Sequence, residues 1–145
     1  MAEVSRSALL MYSADEMYKL VNDVHAYPEF LPGCVDAKVL THVDDVMSAS
    51  VTVSKAGIKQ VFTTENSLSD GREINMNLID GPFKHLSGGW HFMPLDEQAC
   101  KVSLDLKFEF SSKLVEVAFG RIFNELVGSM VKSFSERAKI VYGIR

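Results

Sequence analysis

Thirty residues near the end of the chain carry a hydrophobic pattern that predicts one long α-helix, from Lys113 to Tyr142. Apolar residues recur there at steps of three or four, from Val115 to Val141, which is the period of a helix. Together with a second row beside the first, they cover roughly 180° of the helix, whereas a surface helix buries a stripe of about 100°. Charged residues occupy the opposite side, so we expect a partner that curves around the apolar face. The second row consists of Phe123, Val127 and Val131.

The middle of the chain alternates apolar and polar residues in short runs, as strands with one buried face do. The run Val102–Phe110 places five apolar residues on one face and four polar residues on the other. Turn signals separate such runs at intervals of roughly 10 to 16 residues, which is typical of an antiparallel meander. Among these signals, Asp70–Gly71 predicts a hairpin with a type I′ turn, since both residues tolerate a positive φ.

The N-terminal part of the chain predicts a strand followed by two short helices. Residues Val4–Tyr12 favour the strand, and Ser13 and Glu16 then form a Ser-x-x-Glu capping box that marks a helix start. Two prolines shortly after this helix, Pro28 and Pro32, limit the second helix to about one turn. We therefore expect an α+β fold with about seven strands, in a twisted antiparallel sheet that curls around the C-terminal helix.

Composition and charge fit a globular protein and argue against broad binding of nucleic acid. The 145 residues are 47% hydrophobic, as expected for a single domain over residues 1–145. With a net charge of -4 and no basic run, the sequence argues against DNA as a partner, because capture of phosphates needs clustered Lys and Arg. Two cysteines far apart, Cys34 and Cys100, suit buried free thiols in a reducing compartment. Without a signal-peptide pattern, the expected location is the cytoplasm, with peripheral contact at the inner membrane as a further option.

The double glycine Gly88–Gly89 is the most unusual feature of the strand region. Glycines within a strand pattern predict a bulge or a close approach of another backbone. Trp90 and Phe92 follow on one face, where they would form either the wall of a pocket for an apolar ligand or part of a bent core strand. On spacing alone, the core position is the favoured interpretation.

Other candidate sites are weakly supported by the sequence. The four histidines lack the i, i+4 spacing of a helical metal site, and neither a nucleophile elbow nor a phosphate-binding loop is present. Arg137 lies inside the apolar arc of the last helix, and a buried guanidinium needs partners. We expect it to anchor the helix end to a carboxylate or to strand carbonyls rather than to bind a ligand.

Three ordered motifs resemble those of a known family. They are the run Leu20–Cys34, the run Gly81–Leu95 with its Gly-Pro-Phe and Gly-x-Trp-x-Phe-x-Pro pattern, and Phe108-Glu-Phe110 combined with Phe134-x-x-Arg137-Ala138 and Val141-Tyr142-Gly143. Through these motifs nearly the whole chain resembles the coenzyme Q-binding, RatA-like family of START-like proteins, which is also described as polyketide cyclase-like. The resemblance implies a helix-grip fold, with a tunnel between the curved sheet and the C-terminal helix.

The resemblance also implies a function without catalysis, and therefore no catalytic residue, metal site or resident cofactor. The implied function is binding of ubiquinone or a related polyprenyl lipid in support of respiratory electron transport, since such a lipid needs an apolar sheath to cross water. On this basis we expect Phe119, Phe123 and Leu126 to face Trp90 across the tunnel. The full set of candidate ligand-binding residues is Phe30, Leu31, Phe83, Trp90, Phe92, Phe119, Phe123, Leu126 and Met130.

Two alternatives from other classes remain open at this point. One is a RatA-like ribosome association toxin, which would bind the large ribosomal subunit and block subunit joining through a local basic patch or a protein contact. The other is a cyclase-type enzyme acting on a small molecule, which the lack of an evident acid–base pair disfavours. The fold alone does not choose among the three, because one scaffold hosts many functions.

Overall fold

The computed structural model describes residues 2–145, in which one seven-stranded antiparallel sheet curves around a long C-terminal helix. The strands are β1 (Ala2–Leu10), β2 (Cys34–Val43), β3 (Val46–Lys55), β4 (Ile58–Ser69), β5 (Glu73–Asp80), β6 (Phe83–Asp96) and β7 (Ala99–Phe110). The helices are α1 (Ala14–Asn22), a short 3-10 helix (Val24–Glu29) and α2 (Lys113–Tyr142). This architecture confirms the predicted α+β helix-grip fold.

The strand order β1-β7-β6-β5-β4-β3-β2 is that of a meander whose last strand pairs with the first. Strand β1 runs antiparallel to β7 in continuous register, from the pair Ala2 and Phe108 to the pair Leu10 and Cys100. The two short helices interrupt the meander between β1 and β2. The helix α1 packs against β6, β7 and α2, and the 3-10 helix packs against β2 and, through Tyr27, against Phe134 of α2.

The hairpin turn at Asp70–Gly71 has a different type from the one predicted. Strand β3 pairs with β4 up to Lys55 and Ile58, and the two residues between them have φ values of 53° and 80°, as a type I′ turn requires. The Asp70–Gly71 hairpin, in contrast, is not a type I′ turn, because only Gly71 has a positive φ there, of 73°. The amide of Arg72 donates to the Ser69 carbonyl in a longer loop, so the hairpin was predicted correctly and its turn type was wrong.

The double glycine makes a close approach between strands rather than a bulge. Strand β6 keeps its register with β7 through Gly88 and Gly89, and its irregularities lie nearer the two ends of the strand. A Cβ atom on Gly88 would lie 2.9 Å from the Leu106 Cα and closer still to the Asp105 carbonyl oxygen. Gly88 also has a φ of 136°, so a side chain is excluded both by space and by backbone conformation.

The helix boundaries follow local signals in the sequence. The capping box forms as predicted, since Ser13 accepts from the amide of Glu16 while the Glu16 carboxylate accepts from the amide of Ser13. The helix α2 has the predicted bounds, with Ser112 capping its first turn and Gly143 following its last residue. No helix within residues 2–145 combines the length and apolar character needed to cross a membrane.

The core lies between the concave face of the sheet and the apolar face of α2. Six aromatic side chains are almost completely buried there, and each contacts at least one other ring of the set in an edge-to-face, tilted or stacked arrangement. The ring of Phe123 lies 4.8 Å from that of Phe83 and 4.9 Å from that of Phe108. The buried aromatic residues are Trp90, Phe92, Phe108, Phe119, Phe123 and Phe134.

Candidate functional site

A cavity remains between the sheet and α2, near the middle of the helix. The space open to the centre of a water molecule inside it is about 70 Å³. Its wall is almost entirely apolar, as in ligand sites for hydrophobic molecules. The lining residues are Val24, Tyr27, Leu31, Cys34, Ala49, Val51, Phe62, Thr64, Asn66, Met76, Leu86, Trp90, Leu106, Phe123, Leu126, Val127 and Met130.

Alternation along the strands and the helical period of α2 together build this wall. Every second residue of β3, β4 and β6 points to the concave face, so each of these strands contributes one or more lining residues. The helix contributes Phe123, Leu126, Val127 and Met130, which share one face at steps of one, three or four. The spacing between helix and sheet therefore creates most of the cavity, and the 3-10 helix with the segment after it completes the wall.

The 3-10 helix closes one side of the cavity and is held in place by aromatic and polar contacts. Tyr27 donates its hydroxyl hydrogen to the Val21 carbonyl oxygen. The Phe30 ring lies edge-on to that of Phe134 at 5.0 Å between centroids, and the Arg137 guanidinium lies 5.1 Å from the centroid of Phe30. Arg137 also pairs with the exposed carboxylate of Glu29 at 3.7 Å, as the sequence predicted for a helix anchor.

The hairpin between β3 and β4 meets α2 on another side of the cavity. Lys55 Nζ lies 3.0 Å from Glu125 Oε2, and both side chains are about half exposed. A groove next to this ion pair reaches the loop Pro32–Gly33 and shares Leu126 with the cavity wall. Because an exposed ion pair contributes little to stability, this contact holds the hairpin to the helix only weakly.

Five of the nine candidate ligand residues line the cavity, and four lie outside it. Phe30 packs on Phe134, and Phe92 stacks against Trp90 on the side towards Tyr18. Phe83 packs among other phenylalanines beyond the end of the cavity. Contact with a ligand remains a prediction for all nine residues. The five that line the cavity are Leu31, Trp90, Phe123, Leu126 and Met130.

Phe119 lies in a different place from the one expected. Phe123, Leu126 and Trp90 share the cavity wall, whereas Phe119 packs against Phe110 and Phe123, at 6.3 and 5.8 Å between ring centroids. Phe119 has the same azimuth as Leu126 but lies seven residues earlier, which is about 10 Å along the helix. At that height Phe110 fills the space between helix and sheet, so Phe119 does not face Trp90 across the cavity.

Two polar residues on the cavity wall were not identified from the sequence. Thr64 and Asn66 are 7% and 6% exposed, and they lie on β4 with their side chains on the concave face. Thr64 Oγ1 donates to Asn66 Oδ1 at 2.8 Å. The only signal in the sequence was their spacing, since Thr64 and Asn66 lie at steps of two from Phe62 and Leu68 and therefore share the inward face with them.

The titratable groups on the wall are held in their neutral forms. Burial raises the pKa of the Tyr27 hydroxyl and the pKa of the Cys34 thiol. The Tyr27 hydroxyl and the Cys34 thiol each donate to a backbone carbonyl oxygen, that of Val21 and that of Asp36. Within residues 2–145, no three His, Cys, Asp or Glu side chains come together as metal ligands would. The arrangement can therefore hold a neutral apolar molecule, and it places no charged acid–base pair beside it.

Comparison with known proteins gives both a family match and individual relatives. The model of the family described as polyketide cyclase/dehydrase and lipid transport matches residues 10–135. The chain is 62% identical over 143 residues to the ribosome association toxin RatA of Vibrio cholerae, covering 99% of both chains. It is 31% identical to the mitochondrial coenzyme Q-binding protein COQ10 homolog B of Xenopus laevis, covering 97% of this chain and 59% of that one.

Solved structures agree on the fold. A START superfamily protein from Mycobacterium smegmatis superposes with a TM-score of 0.80 at 20% identity, covering 96% of this chain and 98% of the other. At that identity the likeness supports the helix-grip architecture alone. Together with the family match and the close relatives, it confirms the resemblance found in the sequence. The chain therefore belongs to the polyketide cyclase/dehydrase and lipid transport family of START-like proteins, in its RatA-like branch.

Proposed function

We propose that this protein is a non-catalytic ribosome association toxin that binds the large ribosomal subunit and opposes subunit joining. The observation that carries the proposal is the 62% identity over 99% of both chains with a protein named for ribosome association. The coenzyme Q-binding relative is much less similar, at 31%. For this reason ribosome association takes precedence over the quinone-binding role that the sequence motifs favoured. The cytoplasm is the location that this proposal requires.

The start of α2 offers the surface best suited to a ribosomal partner. Leu114 and Val117 are 79% and 72% exposed on its first turns. Lys113 and Arg121 lie on the same side of the helix, and both of their side chains are largely exposed. Their ion pairs with neighbouring glutamates are solvent-exposed and therefore weak, so the two cations remain available to phosphate groups. This mixture of apolar and basic groups suits a local contact in a protein whose net charge is -4.

A pelleting experiment tests both the association and this surface. Purified protein is centrifuged with ribosomes through a dense cushion, and the fraction found in the pellet is measured. We expect the unmodified protein to pellet with ribosomes and the Leu114→Glu variant to lose most of this binding. The matched control is Ile140→Glu, at a position that is 76% exposed near the other end of α2. Equal binding by both variants would reject this surface, and no binding by the unmodified protein would reject ribosome association.

A second proposed function is binding of a hydrophobic molecule in the cavity, with ubiquinone or a related polyprenyl lipid as the ligand suggested by the motifs. The enclosed apolar cavity favours it. At about 70 Å³, the space fits part of such a lipid, so binding of a whole quinone requires the wall to move apart. The partly buried Val51, Phe62 and Met130 and the adjoining Lys55–Glu125 ion pair mark the side on which it would open.

Extraction tests this second function directly. The protein is purified from a quinone-producing host without detergent, extracted with organic solvent, and analysed by mass spectrometry. We expect ubiquinone or another polyprenyl lipid in an amount comparable to that of the protein. The protein would take up this lipid during transient contact with a membrane surface. Empty preparations at several expression levels would reject the quinone role. A cyclase-type activity is not proposed, because the lining residues provide no charged acid–base pair.

A further inference from the structure

We propose that Asn66 is a ligand-recognition residue, which donates a hydrogen bond from its Nδ2 atom to a neutral acceptor oxygen, such as a ketone or quinone carbonyl, of a molecule in the cavity. This inference rests on the second proposed function, the binding of a hydrophobic molecule. It adds to that function a specific polar contact and a chemical class of head group. Neither follows from the apolar character of the wall.

The geometry places an unused donor on the cavity wall. Asn66 lies on strand β4, is 6% exposed, and lines the cavity. Its Oδ1 atom accepts from Thr64 at 2.8 Å, and this is the one side-chain hydrogen bond of Asn66 within residues 2–145. With Oδ1 turned towards Thr64, neither hydrogen on Nδ2 has a hydrogen-bond acceptor among residues 2–145.

The titratable groups of the wall are neutral and hydrogen-bonded to the backbone. The Tyr27 hydroxyl and the Cys34 thiol already donate to backbone carbonyl oxygens outside the cavity, and burial raises the pKa of both groups. A wall with neutral donors and no charged side chain suits a neutral acceptor, and it disfavours an anion or a cation, whose desolvation would not be compensated.

The position of Asn66 in the fold supports a role in binding. Burying an amide is unfavourable where its hydrogen-bonding groups stay unpaired, and only the oxygen of Asn66 is paired. Its neighbours on the concave face, Met47 and Met76, are apolar. An apolar residue would suit folding better at this point. Such conflicts between local sequence and packing are expected where a residue serves function.

The test compares two probes of the same shape, cyclohexanone and methylenecyclohexane, which differ only by a carbonyl oxygen in place of a methylene group. Binding is followed by the indole N–H resonance of Trp90, the single tryptophan of the chain, during titration of the protein. The variants are Asn66→Leu and, as a smaller β-branched replacement, Asn66→Val. The matched control is Asn77→Leu, the same substitution at an exposed position on the opposite face of the neighbouring strand β5.

We expect both Asn66 variants to weaken cyclohexanone binding relative to methylenecyclohexane by about three- to tenfold, the effect of one neutral hydrogen bond. Asn77→Leu should leave the ratio of the two affinities unchanged. An unchanged ratio in the Asn66 variants, with both probes still bound, would overturn the role of Asn66 and leave ligand binding intact. If neither probe shifts the Trp90 resonance of the unmodified protein, ligand binding in the cavity is refuted, and the inference with it.

Discussion

Filling the cavity from the sheet side should make the protein more stable. Ala49 lines the cavity from β3 and is 3% exposed, and Ala49→Val adds two carbon atoms on a strand, where a β-branched side chain is favoured. Each buried CH₂ group contributes about 0.8 kcal/mol, so the free energy of unfolding should rise by up to about 1.6 kcal/mol. For a chain of this size, that corresponds to an increase in Tm of roughly 3 to 6 °C.

The assay is urea unfolding followed by circular dichroism, with the m-value checked for constancy. The matched control is Ala37→Val, since Ala37 is buried on the adjacent strand β2, pairs with Val51, and does not line the cavity. Without free space the added carbons should overpack the core, at a cost of about 1 to 3 kcal/mol. Destabilisation of Ala49→Val equal to that of the control would refute the cavity.

The same variant separates the two proposed functions. Ala49→Val should weaken binding of any molecule in the cavity, because its added carbons occupy the ligand's space. It should leave ribosome pelleting unchanged, since the proposed contact surface around Leu114 and Val117 is on the exposed side of α2. Loss of ribosome binding in a well-folded Ala49→Val protein would instead show that the cavity takes part in ribosome association.

Three further changes test the packing and the ion pairs. Gly88→Ala should destabilise the protein by roughly 4 kcal/mol or more, because its Cβ atom would overlap the Asp105 carbonyl. Gly128 lies on a helix where an added Cβ atom would make only an ordinary contact, so Gly128→Ala should stabilise the protein by about 0.5 to 1 kcal/mol. Similar changes in the free energy of unfolding for the two variants, measured in urea, would contradict this packing. The Arg145 guanidinium lowers the pKa of Glu16 from 4.5 to about 2 through two hydrogen bonds. Arg145→Ala should therefore reduce stability at pH 7, by a modest amount because both side chains of the ion pair are partly exposed. Because the folded pKa is the lower one, this contribution is complete above pH 4.5 and fades towards pH 2, so an equal loss at pH 7 and pH 3 would exclude it. Lys55→Met should speed ligand entry by at most about fivefold, as expected for an exposed ion pair, and no change in the association rate would place the entrance elsewhere.

The sequence predicted the elements of the fold because its local signals agree with one another. The helical period of α2 continues between a capping Ser112 and a terminal Gly143, and its bounds were therefore predicted correctly. The alternation in the strands gave their number and their buried faces. The turn at Asp70–Gly71 was misassigned, because residue types tolerate several turns and loop length selects among them.

The cavity was harder to predict than the fold. Alternation shows that Thr64 and Asn66 share a face with Phe62, but not how far the helix stands from that face. That distance depends on which large rings meet, as at Phe119, where Phe110 closes the space that the sequence left open. Polar residues on a concave face thus look like ordinary strand residues until the helix is in place.

The most direct test of ribosome association is a sucrose gradient of separated ribosomal subunits, mixed with the protein before magnesium is raised to promote joining. We predict a dose-dependent loss of the peak of joined ribosomes, with the protein found in the large-subunit fractions. The Ile140→Glu variant should act like the unmodified protein, and Leu114→Glu should not. An unchanged peak of joined ribosomes at saturating protein, with no protein in the ribosomal fractions, would contradict the proposed function.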